Sequence, residues 1–179
     1  SILALVVDPG IALAVMLPIL MLMDIAALWS YWGKWNLRAS IILILGALPG
    51  IIIGAALYAR TDADVFRVII GIISVAFVMW QVSVERGWVR VAAQSLPKWA
   101  GALAGLVAGF TSFVSHAGGP PAALYLLSLK PNKTEYQAST VLVFWIINVA
   151  KFLPYAFLGL FTVETGMANL VLAPFALLG

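Results

Sequence analysis

The stretch Trp99 to Leu129 reads WAGALAGLVAGFTSFVSHAGGPPAALYLLSL and contains no Asp, Glu, Lys or Arg, while Lys98 precedes it and Lys130-Pro131-Asn132-Lys133 follows it. An uncharged apolar run of this length belongs in lipid rather than water. Wound as one helix it would reach about 46 Å, too long for a single crossing of a core ~30 Å thick and too short for two crossings, which need about 60 Å. Basic loops favour the cytoplasmic side, so the flanks at Lys98 and Lys130 place both ends of the run on one face. The chain therefore has to go in and come back. Gly118-Gly119-Pro120-Pro121 is the expected turning point, with Gly118 and Gly119 non-helical at membrane depth. Such backbone is tolerated only where it is buried in protein or lines a wet cavity.

The rest of the sequence agrees with that environment. Of 179 residues, 64% are hydrophobic and 9% charged, against roughly a quarter charged in an average soluble domain. The charges gather in short runs between apolar stretches, which excludes a water-soluble fold and points to a polytopic helical membrane protein. The net charge of +3 fits loops facing anionic lipid; no basic run is dense enough to follow a phosphate backbone, so nucleic acid is not an expected partner. Cysteine is absent, which removes disulfides and thiolate chemistry. No basic segment precedes the opening apolar residues, so they do not read as a signal peptide. Ser1 and the apolar Leu172–Gly179 read as positions inside a longer chain.

Six or seven membrane segments are expected. They are Ile11–Tyr31, preceded by an apolar stub Ile2–Val7; Ser40–Tyr58, where Pro49, Gly50 and Gly54 favour close helix contact; Val65–Val84; the interrupted region Trp99–Leu129; Tyr136–Phe157; and Val163–Gly179. Lys34, Arg38, Arg86, Arg90 and Lys98 lie in loops assigned to the cytoplasm. The Arg60–Arg67 loop, which also carries Asp62 and Asp64, is assigned to the opposite side.

Candidate chemistry concentrates at Gly109–Pro121. Glycines permit a turn, and prolines opening the following half-helix point its positive dipole end into the break, where an anion is stabilised. Thr111, Ser112 and Ser115 bring hydroxyl donors, and His116 is the one side chain whose charge ordinarily changes near neutral pH. The alternative is a small-residue packing motif with a histidine satisfied by a carbonyl. Metal binding is not expected, because one imidazole without a second ligand falls short of a site. Asp24, inside Met16–Leu28, needs a polar partner or a cavity. Lys151 and Asn148, three residues apart, share one face of their helix. A structural ion pair, snorkelling of Lys151 to the interface, and a hold on an anionic substrate remain alternatives there. Asp8-Pro9-Gly10 is either an ordinary loop or a first-half counterpart of the second break; paired interruptions in two halves mark transporter binding sites. Trp29, Tyr31, Trp32, Trp35, Trp80, Trp88 and Trp99 read as interface anchors. No phosphate loop, His-Glu metal motif or nucleophile elbow appears.

These residues resemble the TauE/SafE family of membrane permeases, known as sulfite and organosulfonate exporters. The resemblance spans nearly the whole chain. It rests on Leu17-Pro18-Ile19-Leu20 with Asp24, Trp35, and Ala47-Leu48-Pro49-Gly50 through Gly54. In the second half it rests on Ala108–Ser112, Gly118-Gly119-Pro120, Tyr125-Leu126-Leu127, Lys133, Thr140 and Asn148–Lys151. It implies two related halves and further segments at both ends; the Gly-rich run it implies before the first span is reduced here to Pro9-Gly10.

The combined expectation is an all-α membrane helix bundle of two repeats, residues 1–95 and 96–179, with broken or re-entrant helices. The expected function is secondary transport of a small anion such as sulfite or an organosulfonate by alternating access, in the inner (plasma) membrane, without cofactor or metal. Candidate substrate-binding residues are Ser112, Ser115, His116, Gly118, Gly119, Pro120, Asn148 and Lys151, with Asp24 as a coupling or structural charge. The expected partners are the anion and the lipid bilayer; proton or ion coupling and oligomerisation are compatible with the pattern. A non-transporting subunit of a larger complex, glued through Asp24 and Lys151, and a membrane-embedded enzyme using His116 and Asp24 as acid and base are the alternatives.

Overall fold

The computed structural model describes residues 8–88 and 95–178. Among them the chain forms seven α-helices and no strand: α1 (Pro9–Ser30), α2 (Leu37–Tyr58), α3 (Ala63–Glu85), α4 (Lys98–Ser115), α5 (Gly119–Ser128), α6 (Lys133–Phe157) and α7 (Val163–Leu178). The stub Ile2–Val7, Arg90 and Gly179 lie outside the described residues. Four helices, α1, α2, α3 and α6, are long and apolar enough to cross a membrane. The other expected segments correspond to α4 with α5 and to α7. The stretch Trp99–Leu129 divides into α4 and α5, and α5, at about 15 Å, is half a crossing long. α7 is described over 16 residues.

Local chemistry sets the helix starts. The Asp8 carboxylate accepts from the N–H groups of Gly10 (2.8 Å) and Ile11 (3.4 Å), and Pro9 fills the first helical position, where its missing N–H leaves no bond unmade. Asp8-Pro9-Gly10 is thus the capped beginning of α1, and the residues before it lie outside the described ones. Asn36 caps α2 by accepting from Ala39 N–H at 3.1 Å, and Asn132 caps α6 by accepting from Glu135 N–H at 2.9 Å. The two caps are tied together: the Asn36 side chain donates to Glu135 Oε1 at 3.0 Å, and its backbone N–H donates to Ser139 Oγ at 2.9 Å. Pro18 sits inside α1 and cannot donate to Ala14 O. Asn169 of α7 reaches that carbonyl with a long 3.5 Å hydrogen bond.

A seam of glycines decides how the bundle packs. Gly46, Gly50 and Gly54 recur every four residues on α2, as do Gly101, Gly105 and Gly109 on α4. A Cβ at Gly46 would strike the Ala102 carbonyl oxygen, one at Gly50 that of Leu106, one at Gly105 that of Leu43, and one at Gly109 that of Ala47. The two backbones therefore touch directly, the close approach that small residues at four-residue spacing permit in a membrane. α1 and α6 pack on this pair, and the buried core runs through Leu13, Leu17, Leu43, Ile51, Phe113, Val143 and Ile147. Large apolar side chains point outward over most of the remaining surface, and Trp29, Trp32, Trp88 and Trp99 are exposed near helix ends.

α4 and α5 form a hairpin. Leu96 N–H, just before α4, donates to Ser128 Oγ at 3.2 Å, and Ser128, the last residue of α5, donates in turn to Tyr125 O. The start of α4 and the end of α5 lie side by side, which puts the flanks at Lys98 and Lys130 at one end of the pair. The turn is made by residues 116–118. His116 adopts a left-handed backbone (φ 55, ψ 29), uncommon for a side chain with a Cβ but more accessible to histidine than to most residues. Gly119 differs from expectation: it is the first helical residue of α5, and the non-helical stretch ends at Gly118.

Candidate anion site at the α4–α5 break

A helix that stops inside a bundle leaves its last carbonyls without partners. Two side chains one turn apart on α6 take up those of α4. Lys151 Nζ donates to Ser112 O (3.1 Å) and Ser112 Oγ (3.0 Å), and lies 3.1 Å from His116 Nδ1. Tyr155 OH donates to Phe113 O at 2.8 Å. Lys151 is 0% exposed. Its three contacts match the three donors of an ammonium group, and its charge sits at the negative end of the α4 dipole.

In front of Lys151 lies a cavity of about 270 Å³ lined by Leu20 and Asp24 of α1, Ser112 and His116 of α4 and its cap, Gly119 of α5, and Thr140, Val141, Phe144 and Asn148 of α6. Asn148 Nδ2 donates to Asp24 Oδ2 at 2.6 Å, so the carboxylate has a neutral partner. Among the described residues the one ion pair within 4.0 Å is Arg67–Asp64; Asp24 and Lys151 are not bonded to each other. The ion-pair alternative for these two residues is corrected accordingly, and so is snorkelling, because Lys151 turns into the protein.

The donors left for a ligand follow from these bonds. Ser112 Oγ accepts from Lys151, which leaves the hydroxyl proton free to point elsewhere. His116 presents Nδ1 to Lys151, whose three N–H groups cannot accept; Nδ1 is thereby the acceptor and Nε2 carries the hydrogen. That Nε2 is fully buried, and the ring also lies against the backbone of Leu13, so the imidazole N–H is held inside the bundle rather than offered to the cavity.

Not every residue nominated from the motif reaches the cavity. Ser112, His116, Gly119, Asn148 and Asp24 line it, and Lys151 stands directly behind. Ser115 and Thr111 spend their hydroxyls on their own helix, Ser115 on Thr111 O (3.2 Å) and Thr111 on Val107 O (2.8 Å). Gly118 is buried against Ala108, Ser112 and Phe144, where a Cβ would collide with the Ala108 carbonyl; its part is to let the turn fit. Pro120 lines a separate apolar groove with Phe77, Trp80 and Thr111. The two prolines also remove two of the four free N–H groups that an α5 N-terminus would otherwise offer. The helix end supplies its dipole and the Gly119 N–H rather than a ring of donors.

Thr140, Val141, Phe144 and Leu20 were not singled out in the sequence. A signal was present, since the helical repeat carried backward from Asn148 passes through Phe144 and Thr140, and from Asp24 through Leu20. All four are of ordinary types for a buried helix face, so the repeat alone did not separate them from packing residues. Tyr155 could have been found the same way, one turn beyond Lys151.

A comparison with curated proteins and with solved structures returned no significant match. A comparison with family models matched residues 1–179, the whole chain, to the description Sulfite exporter TauE/SafE. With its apolar crossing helices, the chain is a multi-pass membrane protein and belongs to the sulfite exporter TauE/SafE family, a family of membrane transporters of sulfur anions.

Proposed function

We propose that the chain is a secondary transporter that holds a small oxyanion, sulfite or an organosulfonate, in the cavity between α1, α4, α5 and α6. The observation that carries this reading is Lys151: a fully buried ammonium bonded to neutral acceptors, with no carboxylate within 4.0 Å. A buried charge with no counter-charge in contact is costly. An anion in the adjoining cavity brings a negative charge close to it and accepts from Ser112 Oγ and Gly119 N.

The fold lends itself to alternating access. The hairpin of α4 and α5 brings its non-helical turn to the cavity, and the Leu96–Ser128 hydrogen bond joins its two ends. We read residues 1–95 and 96–179 as the two related halves. Both contain a helix opened by proline, α1 at Pro9 and α5 at Pro120 and Pro121. The inner (plasma) membrane is the proposed location, with the flanks at Lys98 and Lys130 on its cytoplasmic face. Reconstitution in proteoliposomes tests the function directly. Labelled sulfite and sulfoacetate should move, and a plain carboxylate of similar size should move much less. Equal transport of all three, or of none, removes the assignment.

A further inference from the structure

Resting on the anion site proposed above, we infer that Asp24 is a proton-binding site coupled one-to-one to the anion, so that the protein moves a monoanion together with a proton. Three features of the cavity converge on this.

The first is charge balance. The titratable or charged groups at the cavity are Asp24 from α1, His116 at the end of α4, and Lys151 from α6; α5 contributes Gly119 and no titratable side chain to the wall. With Lys151 charged, His116 neutral and Asp24 ionised, the empty site is neutral overall. A monoanion entering this cavity makes it net negative in a medium where water screens poorly. Binding one proton at Asp24 restores neutrality, because Lys151 then faces a single negative charge.

The second is the bonding of the carboxylate. Oδ2 accepts from Asn148 Nδ2, and Oδ1 has no hydrogen-bond partner among the described residues. Asn148 donates to Oδ2 in both protonation states, and a proton added at Oδ1 becomes an O–H available to an anion oxygen in the same cavity. The side chain changes from a repelling wall to a donor without moving. The third is that Asp24 is not paired with Lys151. A carboxylate locked in a contact ion pair is held ionised most strongly; an amide donor and a more distant ammonium hold it less tightly, so an anion entering the cavity can tip it to the protonated form. Coupling is reciprocal: if the anion favours the proton, the proton favours the anion by the same factor.

The test is calorimetric titration of the detergent-solubilised full chain with methanesulfonate, whose charge is constant around neutral pH, and with sulfite, corrected for its own protonation. Buffers of different ionisation enthalpy count the protons taken up. The expected result is uptake approaching one proton per anion on the alkaline side, with affinity falling about tenfold per pH unit there. Asp24→Asn, which carries a permanent neutral donor, should bind without uptake and with pH-independent affinity. Binding by the unaltered chain with no proton uptake overturns the coupling and leaves the anion site standing. Persistent uptake by Asp24→Asn overturns the assignment to Asp24. Failure of both anions to bind the unaltered chain overturns the anion site and the coupling with it. Because the proton count is made on the unaltered chain, the test does not depend on the variant folding.

Discussion

Replacing Lys151 by methionine separates its two roles, closing the end of α4 and presenting a positive charge to the cavity. The geometry sets the size of the second. Nζ lies 3.0 Å from Ser112 Oγ, and an anion oxygen hydrogen-bonded to that hydroxyl stands about 6 Å from the ammonium. At an effective dielectric of about 20 that separation corresponds to roughly 3 kcal/mol of attraction, or about 100-fold in affinity. The loss of direct donation to the ligand adds little, because all three ammonium donors already point at α4 and its cap. Stability is expected to change less than a count of lost bonds suggests. Ser112 Oγ and His116 Nδ1 each lose a buried donor, at about 1–3 kcal/mol apiece, but the methionine removes the desolvation penalty of a buried ammonium. Ser112 O keeps its bond from His116 N–H (3.0 Å). Size-exclusion profile and thermal melting would establish assembly, and sulfite titration would give the affinity. Folded Lys151→Met binding sulfite within about twofold of the unaltered chain would refute the argument, since a charge that near the ligand cannot be silent.

Gly119→Asp should assemble with undiminished thermal stability. A Cβ there meets nothing within 4 Å, and a carboxylate at a helix N-terminus is favourable by about 0.3–1 kcal/mol; yet it should abolish anion binding by occupying the anion's place, while Gly119→Asn retains it. Normal sulfite transport by Gly119→Asp would place the substrate elsewhere. Gly50→Val should lower the melting temperature or prevent assembly, because its Cβ would press on the Leu106 carbonyl across the α2–α4 seam, where overpacking costs about 1–3 kcal/mol or more; Gly71→Val, with open space around it, is the control that should melt normally. The chain has no cysteine, so Lys98→Cys and Lys130→Cys can be labelled singly with a membrane-impermeant maleimide. Both should react from the same side of the membrane, and reaction from opposite sides would refute the hairpin.

The hairpin was legible in the sequence because it follows from length: 31 uncharged residues exceed one crossing and fall short of two, and Gly-Gly-Pro-Pro offers a place to turn. Hydropathy alone would not have shown it, since it marks apolar chain without telling a spanning helix from half of a hairpin. Residues 99–129 look as lipid-like as residues 40–58, yet the first folds into two helices and the second into one. The glycine seam was half visible. Gly50 and Gly54 stood out beside Pro49, but pairing them with Gly105 and Gly109 requires knowing that α2 faces α4, which spacing within one helix does not encode.

The site shows the same division between what a motif lists and what bonding leaves free. The hydroxyls of Thr111, Ser112 and Ser115 are equivalent in sequence. Their α4 positions decide otherwise: Thr111 and Ser115 turn back onto carbonyls one turn earlier, whereas Ser112 receives Lys151 and keeps its proton. The prolines that made the break a candidate anion site also delete two of its N–H donors, so in the proposed site the burden shifts to side chains. Asp24 was recognisable as a charge in need of a partner, and the nearest opposite charge in the bundle was the obvious candidate. Its partner is instead Asn148, which lies on the same α6 face as Lys151. That one substitution of an amide for a cation leaves the carboxylate and the ammonium each without a counter-charge in contact, and a bundle with both has a reason to bind an anion and a proton at the same cavity.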